Sequence, residues 1–242
     1  MSETVTAPRR GSKFALALLG GVVGSAITAA LLIVAAPQLI GQRMVRHALL
    51  AEPQILVDAG EALRDRQYAP AIAQYRKDLE TPYGSSWKGS ANPDVVLVEF
   101  FDYACVYCRA SNPHIERLVA EDPKLRVVFR EFPILGQESV AAAQLSLAAS
   151  KAGRFRPFHD TLFAAGRPGP ETLAVAAKAA GMSLPVAPDP AADAELKRNF
   201  QLAGQLGATG TPLFVVGDKV MNSAVGYETL KAAVAAARAA KG

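Results

Sequence analysis

Val95-Val-Leu-Val-Glu-Phe-Phe-Asp-Tyr-Ala-Cys-Val-Tyr-Cys-Arg-Ala110 joins a short apolar run to two cysteines three positions apart, and the chain has no others. The run is brief, rich in Val and Phe, and broken at Asp102, which predicts a buried strand rather than a helix. The cysteines then open a helix. At a helix N-terminus the unpaired backbone N–H groups and the dipole favour a negative charge, so Cys105 is expected to ionise more easily than a free thiol at ~8.5. The thiolate is the attacking species in disulfide exchange. Cys105 is therefore expected to be the exposed nucleophile. Cys108, one turn on, is placed to attack a mixed disulfide at Cys105 and release the substrate.

Other uses of a cysteine pair are weaker here. Zinc takes four ligands, and a single Cys-x-x-Cys with no second pair and no nearby His pair supplies half a site. A structural bridge across so short a loop constrains the unfolded chain little. Two thiolates suit Cu(I), but none of the four methionines and three histidines lies beside the pair in sequence. A redox-dead adaptor is disfavoured because both cysteines are intact.

Glu99-Phe-Phe-Asp-Tyr-Ala-Cys-Val-Tyr-Cys-Arg109, followed about a hundred residues later by Gly210-Thr-Pro-Leu-Phe-Val-Val-Gly217, resembles the DsbA-like branch of the thioredoxin superfamily. The resemblance implies a thioredoxin fold and thiol:disulfide oxidoreductase activity. It also implies a cis-proline loop at Thr211 and Pro212 that faces the cysteines and binds substrate. Glu99 would be the acid beneath the pair that moves protons to and from the buried thiol. Its ordinary alternative is a strand carboxylate without a role. No cofactor is implied. The Val106-Tyr107 dipeptide departs from the Pro-His of the strongly oxidising family member (pKa ~3.5, potential ~−120 mV), which argues against strong oxidising power.

At 242 residues, half of them hydrophobic, the chain has material for one good core and a smaller appendage. The formal charge of +4 would suit a nucleic-acid partner, but its distribution removes that reading. Residues 1–50 hold five Lys/Arg against one acid, and 51–242 hold 21 of each. The excess flanks an N-terminal apolar segment, and no basic patch for nucleic acid is visible.

That segment, Phe14 to Ala36, is uncharged for 23 residues behind Arg9, Arg10 and Lys13. It is long enough for one membrane-spanning helix of ~20 residues. Basic residues ahead of it favour a cytoplasmic tail at 1–13 and an exported body. A cleaved signal peptide is the rival, with small residues at Thr28-Ala-Ala30; Pro37 argues against cleavage at the end of the run. Either way the cysteines lie outside the cytoplasm, in the periplasm or its equivalent, where disulfide chemistry belongs.

Residues 37–80 form an N-terminal helical segment, with helical spacing from Gln42 to about Ala71 divided at Glu52-Pro53. It is too small to hold a core of its own, so packing on its own domain and pairing with a partner chain both stand as readings. Leu49-Leu-Ala-Glu-Pro-Gln-Ile-Leu56 and Ala62-Leu-Arg-Asp-Arg-Gln67 resemble the N-terminal segment of the suppressor-of-copper-sensitivity protein C group, which implies a homo-oligomer. Residues 81–93, Thr81-Pro-Tyr-Gly-Ser-Ser-Trp-Lys-Gly-Ser-Ala-Asn-Pro93, read as a turn-rich linker, so a chain cut just before Ala91 is expected to fold as a monomer. Residues 94–242 pattern as a mixed α/β unit, which the resemblance implies is a DsbA-like thioredoxin domain with a helical insertion at about 137–207. Pro113 should kink the active-site helix, Leu125 to Phe132 is a second strand, and Leu213–Val216 and Lys219–Met221 precede a closing helix from Glu228. His159, within Phe155-Arg-Pro-Phe-His-Asp-Thr-Leu-Phe163, is expected to be structural.

The function expected is thiol:disulfide exchange on exported cysteine-containing proteins, as isomerase or reductase, with a membrane redox partner. A dithiol oxidase is the alternative.

Overall fold

The computed structural model describes Gly41 and residues 43–241, so the tail expected at 1–13 and the anchor or signal segment at 14–36 lie outside the described residues. Among the described residues no helix is long and apolar enough to cross a membrane.

The chain divides into two compact units, Met1–Glu61 and Ala62–Gly242. In the first, residues 43–51 are helical, Glu52 and Pro53 interrupt, and helix α1 (Gln54–Glu80) begins at the next residue. Met44, Val45, Leu50, Leu56 and Val57 are all more than half exposed there. Among the described residues nothing covers this apolar surface of the helical stretch, and exposed apolar surface of that extent marks an interaction face.

The second unit is built on a five-stranded sheet of order β1-β3-β2-β4-β5, with β1 Trp87–Gly89, β2 Val95–Phe101, β3 Leu125–Glu131, β4 Leu213–Val216 and β5 Lys219–Met221. Only β2 and β3 run parallel, and helix α2 (Val106–Glu121) makes the crossover between them. The expected insertion is four helices: α3 (Gln137–Lys151), α4 (Phe155–Ala165), α5 (Pro170–Ala179) and α6 (Pro190–Gln205). Helix α7 (Tyr227–Ala239) closes the chain.

Strand alternation sorts the sheet's side chains into two cores. Val95, Leu97, Phe101, Val127, Phe129 and Phe214 point to one face, beneath α2, α4, α5 and α7. Val98, Phe100, Val128, Leu213, Val215 and Val220 point to the other, where Leu202, Ala203 and Leu206 close α6 over them. Central strand β2 is therefore buried on both sides, which is why it reads as a continuous apolar run rather than an alternating one.

Two expectations are corrected. The helical spacing does not stop near Ala71, because helix α1 continues through Pro70 to Glu80, the end expected for the segment 37–80. Tyr68, Ile72, Tyr75 and Leu79 recur at helical spacing and pack on the second core, Ile72 and Leu79 being 1% exposed. Nor is 81–93 a linker between domains. Trp87, Lys88 and Gly89 pair with Val128, Val127 and Arg126 of β3, forming an edge strand. Gly84 and Gly89 take φ of +53° and +96° there, and a Cβ on either would come within 2.5 Å of a backbone carbonyl. The turn residues that suggested a linker are the ones a close backbone approach requires. A cut before Ala91 would remove β1 and core residues of α1, so a folded monomer is not expected from it.

Candidate active site

Strand β2 ends at Phe101, and the next four residues turn the chain into α2. Asp102, 1% exposed, organises this turn: its carboxylate accepts the N–H of Ala104 at 2.8 Å, of Ile134 at 2.8 Å and of Leu135 at 2.9 Å. It thus ties the cysteine turn to the loop that follows β3. Cys105 is the N-cap residue of α2, extended at φ −78° and ψ 117°, and its carbonyl accepts the N–H of Arg109 at 3.1 Å. The helix continues through Pro113 and buries Cys108, Ser111, Ile115 and Leu118, one face of its helical repeat.

The two thiols sit in different surroundings. Cys105 is 5% exposed and Cys108 0%, so the residue expected to be the exposed nucleophile keeps only a narrow edge at the surface. Exposed around that edge are Val106 and Tyr107, the two residues between the cysteines. The Cys105 thiol is drawn down to about 5, first by a hydrogen bond from the Cys108 thiol, then by those from the Thr211 side chain and the N–H groups of Cys108 and Tyr107; burial opposes this. In the thiol form its Sγ donates to the Thr211 carbonyl oxygen at 3.2 Å. Burial pushes the Cys108 thiol far up, and its bond to Cys105 and the charge of Glu99 add to that. At neutral pH the pair therefore presents one thiolate near the surface and one sealed thiol.

Glu99 lies on β2, 1% exposed, and neither carboxyl oxygen has a hydrogen-bond partner. Burial raises its pKa to about 8, against the attraction of Lys88 and with the help of negative charge at Cys105. Such a carboxyl is largely protonated at neutral pH and can give or take a proton. The Thr211–Pro212 peptide bond is cis, as the resemblance implied, and Leu184–Pro185 is cis as well, which nothing in the sequence signalled.

His159 is structural. It is fully buried among Phe101, Tyr103, Phe129, Phe155 and Phe163, with Nδ1 3.3 Å from the Tyr103 hydroxyl. Burial holds it neutral. Among the described residues, no group of three or more His, Cys, Asp or Glu is placed to hold a metal ion. In the sequence Asp102 reads only as a strand break, although an Asp carboxylate that accepts the N–H two residues on, here that of Ala104, is a turn signal. Lys88 goes unmarked there because a lone lysine in a turn-rich stretch carries no periodicity.

Comparison with known proteins agrees with this geometry. Residues 96–235 match the DSBA-like thioredoxin domain, and residues 42–69 match the copper resistance protein ScsC N-terminal domain. A thioredoxin-like oxidoreductase from Silicibacter pomeroyi DSS-3 is 34% identical, covering 68% of this chain and 98% of that one at a TM-score of 0.63. A periplasmic thioredoxin-like protein from Salmonella enterica serovar Typhimurium is 30% identical, covering 69% and 97% at 0.63. The catalytic domain of Proteus mirabilis ScsC is 28% identical, covering 71% and 98% at 0.66. The chain spans about a quarter of the length of the curated relatives it matches, among them a Na(+)/H(+) antiporter NhaA 1 of Salinispora arenicola, 28% identical over 157 residues. With its strand, cysteine helix, cis-proline loop and helical insertion all within the matched residues, the chain belongs to the DSBA-like thioredoxin domain family.

Proposed function

We propose that the protein is a thiol:disulfide oxidoreductase acting on exported cysteine-containing proteins. The observation that carries this is the asymmetry of the pair: a thiolate at the helix N-terminus beside a sealed thiol over an unpartnered carboxyl. Cys105 Sγ attacks a substrate disulfide, forming a mixed disulfide and expelling a substrate thiolate, which takes up a proton. Glu99 takes the proton of Cys108, whose thiolate attacks Cys105 Sγ and releases the second substrate thiolate. Two electrons pass from the dithiol to the substrate, and a disulfide is left on the enzyme. Thr211 and Pro212, beside Cys105, present backbone to an extended substrate segment.

The direction of use we infer is isomerisation or reduction. The Cys105 thiol, drawn down to about 5, is less depressed than that of the strong oxidant at ~3.5, whose Pro-His dipeptide the chain also lacks at Val106-Tyr107. The ScsC-like segment with its exposed apolar residues supports a homo-oligomer, in which several pairs face one substrate. Kept reduced by a membrane redox partner, such an assembly would act in the periplasm or its equivalent, anchored through 14–36. The family, the periplasmic relative and the uncharged run support that placement.

Reduced protein lacking residues 1–37 should reduce insulin disulfides and regain native bridges in a scrambled multi-disulfide substrate, and Cys105→Ser should abolish both. Activity retained by Cys105→Ser would refute the reading. Reduction without isomerisation would leave a reductase.

A further inference from the structure

Lys88 stands on β1 with its side chain 2% exposed. Its Nζ donates to Asp160 of α4 at 2.5 Å and to Glu116 of α2, and lies 5.5 Å over the centre of the Phe129 ring. Sheet register explains the arrangement. Lys88 pairs with Val127 and Glu99 with Phe129, and Val127 and Phe129 are two apart on β3. Lys88, Phe129 and Glu99 therefore project from one face of the sheet, beneath α2. The aromatic ring stands between a buried ammonium and the carboxyl under the cysteines, and that carboxyl has no hydrogen-bond donor of its own.

We propose that Lys88 is a positioning residue for the cysteine reaction: held by Glu116 and Asp160 and acting across Phe129, its ammonium is the counter-charge that lets Glu99 ionise and so sets the pH at which Cys108 is deprotonated. This rests on the reading of Glu99 as the proton acceptor. Charges act further through packed apolar side chains than through water. Of the cations around the pair Lys88 alone pulls on Glu99, and neither Arg109 nor Arg156 does. The other groups around Glu99 are Cys105, Cys108 and Tyr103, and His159 lies against Phe129; burial keeps Tyr103 protonated and His159 neutral. Around Lys88 they are Arg109 and Glu116 of α2 and Arg156 and Asp160 of α4. Glu116, Asp160 and Arg156 are 41, 45 and 63% exposed, pair with one another, and are screened by solvent. The attraction of Lys88 is the effect that opposes burial at Glu99, and the same ammonium disfavours protonation of His159.

The test uses the full-length chain. A chromogenic aromatic disulfide loads Cys105, and release of the second chromophore, as Cys108 resolves the mixed disulfide, is followed against pH. Lys88→Met should raise the midpoint of that profile. Two strand spacings separate the groups, ~10 Å, which at an effective dielectric constant of ~20 corresponds to roughly one pH unit, or a tenfold slower release below the midpoint. Lys88→Arg should stay near the parent, and in a Glu99→Gln background Lys88→Met should change nothing. An unmoved midpoint in Lys88→Met, with Glu99→Gln altering the profile, would overturn the proposal and leave Glu99 as the base. A Glu99→Gln profile identical to the parent would remove the base and the proposal with it. If Lys88→Met does not fold, Lys88→Gln is read by the same criteria.

Discussion

Glu99 destabilises the fold at neutral pH, and the sign follows from its protonation. Its folded pKa, about 8, is raised above the 4.5 of the unfolded chain. Stability is thus intact at low pH and is lost as pH rises from about 4.5 toward 8. Glu131, buried on β3 and raised to about 7 by burial, drifts the same way despite the bond it accepts from Ser146 at 2.7 Å. Glu99→Gln should therefore stabilise the protein by about 2–3 kcal/mol at pH 7 and by nothing at pH 4, measured by denaturant unfolding. Equal stability at both pH values would show that the carboxyl is solvated. Cys105 runs oppositely. Its depressed pKa stabilises the reduced protein fully above the unfolded thiol's ~8.5, and this is lost as pH falls through about 5. Thr211→Val removes a side-chain donor to the thiolate, so the thiolate absorbance of the reduced protein should titrate at higher pH in that variant; an unchanged midpoint would exclude Thr211 as a donor. The positions of the cysteines were legible because a strand run and a helix start fix where they sit, whereas Glu99 stood out only through the family resemblance. Lys88 was not legible, because its role comes from pairing across β3, which no local pattern records.

At the scale of elements, β2, α2, β3 and the helical block were readable from period and composition, and β1 was not. A three-residue edge strand among turn residues has too few positions to show alternation. Its structural weight can be measured. At Gly89 a Cβ would come 2.3 Å from the Leu125 carbonyl oxygen, on a backbone at φ +96°. Gly89→Ala should therefore cost about 2 kcal/mol or more of unfolding free energy; a cost under half of that would mean that 81–93 behaves as a linker after all. Asp102→Ala should cost about 3 kcal/mol, since three backbone N–H groups lose their acceptor. The helical segment ends at Glu80 as expected for 37–80, but its periodicity fades near Ala71 in the sequence because the charged residues beyond obscure the continuing stripe of Tyr75 and Leu79.

For the molecule as a whole, the structure moves the useful cut from Ala91 to Ala62, where the second compact unit begins. A chain starting at Ala62 keeps the stripe of α1 and strand β1. It should be monomeric by light scattering, reduce insulin, and lose isomerase activity, whereas the chain from Gln38 should be an oligomer. A monomeric chain from Gln38, or a truncated form that isomerises equally well, would refute assembly through the N-terminal segment. How copies associate was not legible, since exposed apolar residues at helical spacing show only that a partner is wanted. The central claim is that Cys105 attacks and Cys108 resolves, and it is tested most directly by trapping in cells producing the full-length chain. Cys108→Ser should accumulate mixed disulfides with exported proteins, resolved on non-reducing gels and joined through Cys105, and Cys105→Ser should accumulate none. Equal trapping by the two variants, or by neither, would contradict the account.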